Sequence, residues 1–469
     1  MPGKDMSYAA VMGRRSEIML SAVGIDYDKY ELEGVAFDYE KMMSDVGYSI
    51  DEIKAIQKSM DVGNTPLLEL KNFTALAAKI GGPGKGARIF VKDEACNPSG
   101  SFKARRAALA VHEAKKLGYK GVIAATSGNY GAAVACMAAK LGLKCIIVQE
   151  CYDSKFVGQP EILEKQRACE ALGAEVVQMT VGPELFYEDL RLLEVTGFYN
   201  ASLYVPAAIA GVETLGYEIV EQTRARLGKD PDYVLVTNAG GGNLTGTARG
   251  VKKAGAKDTK IYAVSVDLSG LHMASDSDFN RKSFTTGHTG FGIPFTTLPD
   301  RCDVPRNAAR PLRYIDEYLL VKQGEVFYVT EMLAALEGIE RGPAGNTSLA
   351  AAVALASTLP EDNVIVVQET EYTGAGKHPM PQLTFARQNG IEIKFGDPDD
   401  DVPGKNIILP SDPSKIKLRF NDMKRLRLSN LRNIAKEDRE YSAVELQYMA
   451  DEAGVTVDEA KELLAELKK

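Results

Sequence analysis

Residues 121–150, GVIAATSGNYGAAVACMAAKLGLKCIIVQE, decide the fold. A β-branched run at 121–127 ends in small and polar residues. An alanine-rich run follows over 130–141, and a second β-branched run fills 144–150. Apolar run, helix-forming run, apolar run is a βαβ unit, which requires a parallel strand pair and a right-handed crossover. The same alternation continues outward. AEVVQMT (174–180), YVLVTNA (233–239), IYAVSVD (261–267) and NVIVVQE (363–369) read as further buried strands, with helical stretches at 103–117, 160–172 and 211–227. This pattern predicts an α/β protein built on parallel sheets.

The flanks break the rhythm. Residues 1–60 are charged and helix-like, with Ser49 and Asp51 able to cap DEIKAIQKSM. Residues 268–318 form a long stretch without an element of its own, too rich in varied side chains for a tether and so expected to be a functional insertion. Residues 397–413 read as a linker. Beyond it, Lys415, Lys417, Arg419, Lys424, Arg425, Arg427 and Arg432 stand against one acid, Asp422. Ser442 with Glu445 and Thr456 with Glu459 are capping boxes that each open a short helix.

Composition excludes several classes. With 45% hydrophobic and 26% charged residues the chain is globular rather than disordered. A net charge of −8 gives no general attraction to nucleic acid or anionic membranes. No apolar run is long enough to span a bilayer, and the N-terminus has no secretory apolar core. The cysteines at 96, 136, 145, 151, 169 and 302 show no CxxC, so reduced thiols of a cytoplasmic enzyme are expected. The histidines at 112, 272, 288 and 378 never fall at metal-ligand spacing, and no metal site is expected.

Three turns carry chemistry. Asn97-Pro98-Ser99-Gly100-Ser101-Phe102-Lys103 delivers an amine at the start of a helix. Thr126-Ser127-Gly128-Asn129-Tyr130-Gly131 follows a strand, where α/β sheets bind ligands and a helix N-terminus offers N–H groups to a carboxylate. Ala239-Gly240-Gly241-Gly242-Asn243-Leu244-Thr245-Gly246 also follows a strand, and its glycines let the backbone close around a phosphate. It matches neither GxGxxG nor a Walker loop, which favours a monophosphate ester. Gly374-Ala375-Gly376-Lys377-His378 imitates a P-loop ending, but Glu371 replaces the first glycine and His378 the hydroxyl residue, so that reading fails. Singly, each turn also suits a surface lysine or an ordinary strand-to-helix turn; their order and spacing make the set.

A lysine for a Schiff base, an asparagine loop and a glycine cradle are what pyridoxal 5′-phosphate requires. Over about residues 61–380 the chain resembles the fold-type-II pyridoxal-phosphate family of threonine and cysteine synthases, serine and threonine dehydratases and tryptophan synthase β chains. The resemblance implies two parallel-sheet lobes with the cofactor in the cleft between them. The larger comprises 61–110 and 220–396 and carries the insertion 268–318, and the smaller comprises 111–219. A helical N-terminal extension (1–60) and a linker with helical appendage (397–469) complete the expected organisation. It further implies Lys103 as the covalent anchor and Asn129 on the phenolic oxygen. Ser127, Gly128, Asn129, Tyr130 and Gly131 would receive the substrate carboxylate, and Gly240, Gly241, Gly242, Asn243, Leu244 and Thr245 the phosphate. Near the pyridine nitrogen, Thr370 matches by strand register and Thr373 second. Glu369 or Glu371 there would instead raise the nitrogen's pKa. Ala104 departs from the acid that follows the lysine in the synthases, which weakens a synthase reading.

GIDYDKYELEGVAFDYEKMM, VKDEACNPSGSFK, IIVQECYDS, GGGNLTGTARG, HMASDSDFNRKSFTTGHTGFGIPF and QETEYTGAGKHP carry a resemblance over nearly the whole chain. They are similar to the β-subunit family of thiolases acting on 2-amino-4-ketopentanoate. That resemblance implies a small α-subunit partner, a dimer of the pyridoxal-phosphate subunit, and cleavage of the substrate by coenzyme A to acetyl-CoA and alanine (the D-isomer) in ornithine degradation. Coenzyme A supplies the thiol, so no catalytic cysteine is needed, and Cys96 reads as a small buried hydrophobe. Arg281, Lys282, Arg301, Arg306, Arg310 and Arg313, or the basic run 415–432, are the expected partners of the nucleotide or the second subunit. His272 and His288 are candidate proton carriers. The rival reading is β-replacement or β-elimination, as in threonine or cysteate synthase; the intact Lys103 speaks against a non-catalytic paralogue.

Overall fold

Apolar runs bounded by turn residues become strands wherever both of their faces can be covered. The computed structural model describes residues 4–126, 128–276, 278–290, 292–372 and 379–468. In chain order the strands there are β1 (Leu67–Glu69), β2 (Arg88–Asp93), β3 (Gly121–Thr126), β4 (Lys144–Tyr152), β5 (Glu175–Thr180), β6 (Tyr199–Asn200) and β7 (Tyr233–Thr237). They continue with β8 (Lys260–Val266), β9 (Glu317–Val321), β10 (Val364–Glu369), β11 (Glu392–Gly396), β12 (Asn406–Pro410) and β13 (Arg419–Phe420).

One sheet runs β1-β2-β10-β7-β8-β9-β13 and a second β5-β4-β3-β6. The smaller sheet is parallel throughout. The larger is parallel from β2 to β9, with β1 and β13 added antiparallel at its edges. Every residue of β3 and β10 is buried, as expected of strands covered on both sides. All six apolar runs read as strands are strands, and the expected helices appear as Lys103–Lys116, Asn129–Leu141, Pro160–Ala171 and Pro206–Leu227. The last begins earlier than its apolar pattern because Pro206 fits the first helical turn.

The terminal extensions share a core. Met19, Tyr39 and Met42 from the N-terminal helices pack with Leu431, Tyr448 and Met449 from the C-terminal ones. Both expected capping boxes form, at Ser442–Glu445 and Thr456–Glu459, and Ser49 caps its helix in a further box with Glu52. The stretch read as a linker needs correction: it contains β12, which pairs in parallel with β11 and buries Ile407 and Leu409. Its prolines and aspartates flank the apolar NIILP rather than interrupt it. Among the described residues no helix is long and apolar enough to cross a membrane.

The insertion is irregular but pinned. Ser154 bonds Asn280 at 2.5 Å, Lys282 pairs with Asp153, Gln159 donates to the Gly287 carbonyl at 2.9 Å, and Phe284 N–H donates to Gln323 at 2.7 Å. It therefore bridges the small lobe and the large one across the cleft.

Candidate active site

Lys103 opens its helix, and the reason it stands there lies two residues on. Arg105 is fully buried and donates to both oxygens of Glu94 (2.8 Å each) and both of Glu218 (2.9 and 2.7 Å). Two forks on one planar guanidinium fix the first helical turn. Lys92 on β2 adds a bond to Glu218 at 2.9 Å. Burial alone would raise the Glu218 carboxyl, but Arg105 and Lys92 hold it well below the usual range. The preceding turn is fixed to the end of β10: Phe102 N–H donates to the Thr370 carbonyl (3.0 Å) and Tyr372 N–H to that of Gly100 (2.8 Å). Gly100 sits at φ 70°, the left-handed region this turn needs. Lys103, Thr370 and Glu371 thus line one cavity. Glu369 is buried away from it, and burial, with Asp93 and Glu371 nearby, pushes its carboxyl well above the usual range. Thr373 and His378 lie outside the described residues.

The asparagine loop hangs on Thr126, the last residue of β3, whose hydroxyl accepts from Gly128 N–H (2.9 Å) and Gly131 N–H (3.2 Å). Gly128, Asn129 and Tyr130 line the cavity, though the Tyr130 hydroxyl turns away and donates to the Ala201 carbonyl at 2.6 Å. Gly131 is pressed against the sheet, where a Cβ would come within 2.8 Å of Ile147 and Thr126 methyls. Its role is close packing. Ser127 lies outside the described residues.

The glycine loop supplies Gly240, Gly241, Gly242 and Asn243 to the same cavity. A Cβ at Gly240 would collide with the Tyr204 hydroxyl, and one at Gly242 with the Arg106 guanidinium. Leu244 instead sits in the hydrophobic core. Thr245 holds the loop from behind: its N–H and its hydroxyl both donate to the Gly241 carbonyl, at 2.9 and 2.8 Å.

Two wall residues, Arg106 and Glu150, escaped sequence reading, and a third, Arg301, was expected to meet the nucleotide or the second subunit instead. Arg106 is one helical turn from Lys103, buried, bonded to the Leu203 carbonyl, with Nε lacking a partner among the described residues. Burial lowers its pKa, and Arg301 adds to that. Its i, i+3 spacing from the lysine was the available signal. Arg301 lies on the wall between Tyr204 and Phe295. Glu150, on β4, is buried with Oε1 unpartnered among the described residues, and burial pushes its carboxyl well above the usual range.

Residues 58–370 match the family model described as pyridoxal-phosphate dependent enzyme. This chain belongs to that family. Among similar proteins is the 2-amino-4-ketopentanoate thiolase beta subunit of Acetoanaerobium sticklandii, 64% identical over 99% of both chains. A second beta subunit of the same description, from an unknown prokaryotic organism, is 62% identical over 99% of both. A solved pyridoxal 5′-phosphate-dependent aspartate racemase superposes with a TM-score of 0.55 at 21% identity, covering 69% of this chain and 95% of its own, which bears on the fold alone. The resemblances drawn from the motifs are borne out, and the fold is the expected fold type II.

The residues present fit the family's cofactor. An amine at a helix start, a glycine loop that side chains would obstruct and a buried guanidinium beside Gly242 suit a phosphorylated aldehyde. Other expectations for this pyridoxal-phosphate enzyme change. Arg306 pairs with Glu31, Arg310 and Arg313 with Glu452, Arg281 with Asp276, and Lys282 with Asp153, so the insertion's cations mostly anchor it. In the tail, Lys417, Arg419 and Lys424 are paired with acids too. Most cations of the two basic runs are therefore committed to acids within the chain. Cys96 is exposed; it is Cys151 that lines the cavity, its thiol pushed up to about 12 by burial. His288 reaches the cavity wall. His272 is buried, held to about 3 by burial and by His288.

Proposed function

We propose that this chain is the cofactor-bearing β subunit of a thiolase that cleaves 2-amino-4-oxopentanoate with coenzyme A to acetyl-CoA and alanine, a step of ornithine degradation, together with a small α subunit. The observation that carries the reading is end-to-end similarity to thiolase β subunits, joined to a single cavity holding Lys103, Asn129, the glycine loop and Thr370. A dimer of this subunit is the expected core of the assembly. The buried free thiols of Cys136, Cys145, Cys151 and Cys169 fit the reducing cytoplasm.

Lys103 anchors the cofactor and, once released, takes the substrate's Cα proton. Asn129 bonds the phenolic oxygen, and the N-terminus of its helix receives the α-carboxylate. The backbone of 240–243 and the Arg106 guanidinium would hold the phosphate, and the Thr370 hydroxyl would serve the ring nitrogen. When bound, pyridoxal phosphate supplies the electron sink conjugated to the amino carbon. Glu150, whose carboxyl burial shifts toward its protonated form, would give C3 its proton when the C3–C4 bond breaks and regain one from the next thiol. The wall around it is largely apolar, with Val181, Leu185 and Phe186 excluding water.

The test is to supply 2-amino-4-oxopentanoate and coenzyme A, with and without the small subunit, and to analyse products by mass spectrometry. Acetyl-CoA and alanine in equal amounts are expected. Ammonia or a β-substituted amino acid in their place would overturn the proposal.

A further inference from the structure

Arg301 is 1% exposed, yet its guanidinium lies on the cavity wall. Its central carbon stands 3.5 Å from the Tyr204 ring centre and 3.9 Å from that of Phe295. Both faces are covered by aromatic rings, so only the N–H edge can meet a partner. None of Nε, Nη1 and Nη2 has a hydrogen-bond partner among the described residues. The nearest carboxylate, Asp303, stands 3.9 Å from Nε through Oδ1 and accepts from Ser202 through its other oxygen. Buried polar groups are satisfied as a rule, and a buried cation all the more so. A ligand in the cavity can supply that acceptor.

Which ligand atom is decided by elimination along the walls. The carboxylate has the helix N-terminus at Asn129, and the phosphate has the glycine loop with Arg106. Coenzyme A's phosphates are bulky and strongly hydrated, unsuited to a cation enclosed between two rings. What remains of a 2-amino-4-oxo acid is its ketone oxygen. A guanidinium keeps its charge at every working pH, which suits it to hold developing negative charge rather than to pass protons.

Resting on the thiolase reading, we infer that Arg301 is the oxyanion-binding catalytic residue for the C4 ketone. As coenzyme A's thiolate adds, its lone pair forms the S–C4 bond and the carbonyl π pair moves onto oxygen, where the Arg301 edge receives it. The pair then returns to re-form C=O while the C3–C4 bond breaks. The electrons of that bond pass to C3, which takes a proton. A thioester and a three-carbon amino acid leave, with no oxidant or further reactant required.

The experiment compares the holoenzyme with Arg301→Met and Arg301→Lys. Thiolysis by Arg301→Met should fall roughly 100- to 1000-fold in kcat, the loss seen when an oxyanion donor is removed. Arg301→Lys should recover part of it. A second arm reads binding without turnover: the wild type should bind 2-amino-4-oxopentanoate more tightly than 2-aminopentanoate, and Arg301→Met should lose that preference while binding 2-aminopentanoate unchanged. A third needs no variant: the ¹³C resonance of C4 in substrate bound to the wild type, without coenzyme A, should move downfield from that of free substrate. Thiolysis within twofold of wild type in Arg301→Met, equal binding of the two ligands by the wild type, or an unmoved C4 resonance each overturns the assignment. A wild type that prefers the oxo acid, through Arg301, but forms no thioester would instead overturn the thiolase reading and leave Arg301 as the ketone's partner.

Discussion

Lys103 and His272 illustrate how a single side chain's surroundings set its chemistry. Lys103 is placed by its neighbours, since Arg105 and the Phe102–Thr370 bond hold the helix start. Lys103→Ala should therefore leave the fold and its melting temperature nearly intact while abolishing turnover. Borohydride reduction of the wild type followed by peptide mapping should find the pyridoxyl label on Lys103, and a label on any other lysine would contradict the role. His272 makes a pH prediction. Ala274 N–H and Thr296 N–H each approach a ring nitrogen at 3.4 Å, so a second ring proton would face donors on both sides. Above pH 6.5 the ring is neutral in both folded and unfolded chains. Below it only the unfolded chain takes the proton, because the folded pKa is about 3, so stability falls as pH drops toward 3. By pH 4.5 the loss through this residue is roughly 3 kcal/mol. His272→Gln should show a shallower fall between pH 6.5 and 4.5 in denaturant titrations, and equal slopes would refute it.

Within elements, the glycine loop shows why side-chain absence is functional. Gly242→Ala puts a Cβ against the Arg106 guanidinium, and cofactor affinity should fall at least tenfold, about 1.4 kcal/mol. Gly142→Ala is the control: it sits at positive φ, 70°, and has nothing within 4 Å, so it should cost about 1–2 kcal/mol of stability and leave cofactor affinity unchanged. Equilibrium dialysis separates the two. That loop was legible because its signal is local, three glycines after a strand, and so were β3, β4, β7, β8 and β10. Strand β2 was not. Its apolar run contains Lys92 and Asp93, and Lys92 can be buried only because Glu218, 126 residues away, neutralises it. Arg301 was grouped with the cations expected to meet the nucleotide or the second subunit, since Tyr204 and Phe295 enclose it from other parts of the chain. The linker reading of 397–413 weighed prolines and aspartates and missed that β11 would offer NIILP a parallel partner.

On the scale of the molecule, the C-terminal extension reads from sequence as an appendage, yet it connects to the cofactor site through four residues. Glu452 is buried and accepts from Arg310 at 2.6 Å while facing Arg313 at 3.1 Å. Arg310 N–H donates to the Thr245 hydroxyl at 2.9 Å, and that hydroxyl donates to the Gly241 carbonyl at 2.8 Å, within the glycine loop. Removing one partner of a buried ion pair leaves the other charge uncompensated, and here Arg310 depends on Glu452, which Arg313 shares while also facing Glu40 and Asp451. Glu452→Gln should thus lower stability by about 3–5 kcal/mol. Because the backbone of Arg310 also carries the bond to Thr245, a shift of that residue should loosen the loop and speed cofactor loss during dialysis several-fold, at temperatures where the protein remains folded. Lys424→Ala tests whether any disturbance of the tail has that effect: it breaks the exposed Lys424–Glu466 pair and should cost at most about 1 kcal/mol, with cofactor retention unchanged. If Glu452→Gln destabilises the tail but holds its cofactor as firmly as the wild type, the extension is mechanically separate from the site. Faster cofactor loss in Glu452→Gln alone would make the tail a structural part of the cradle.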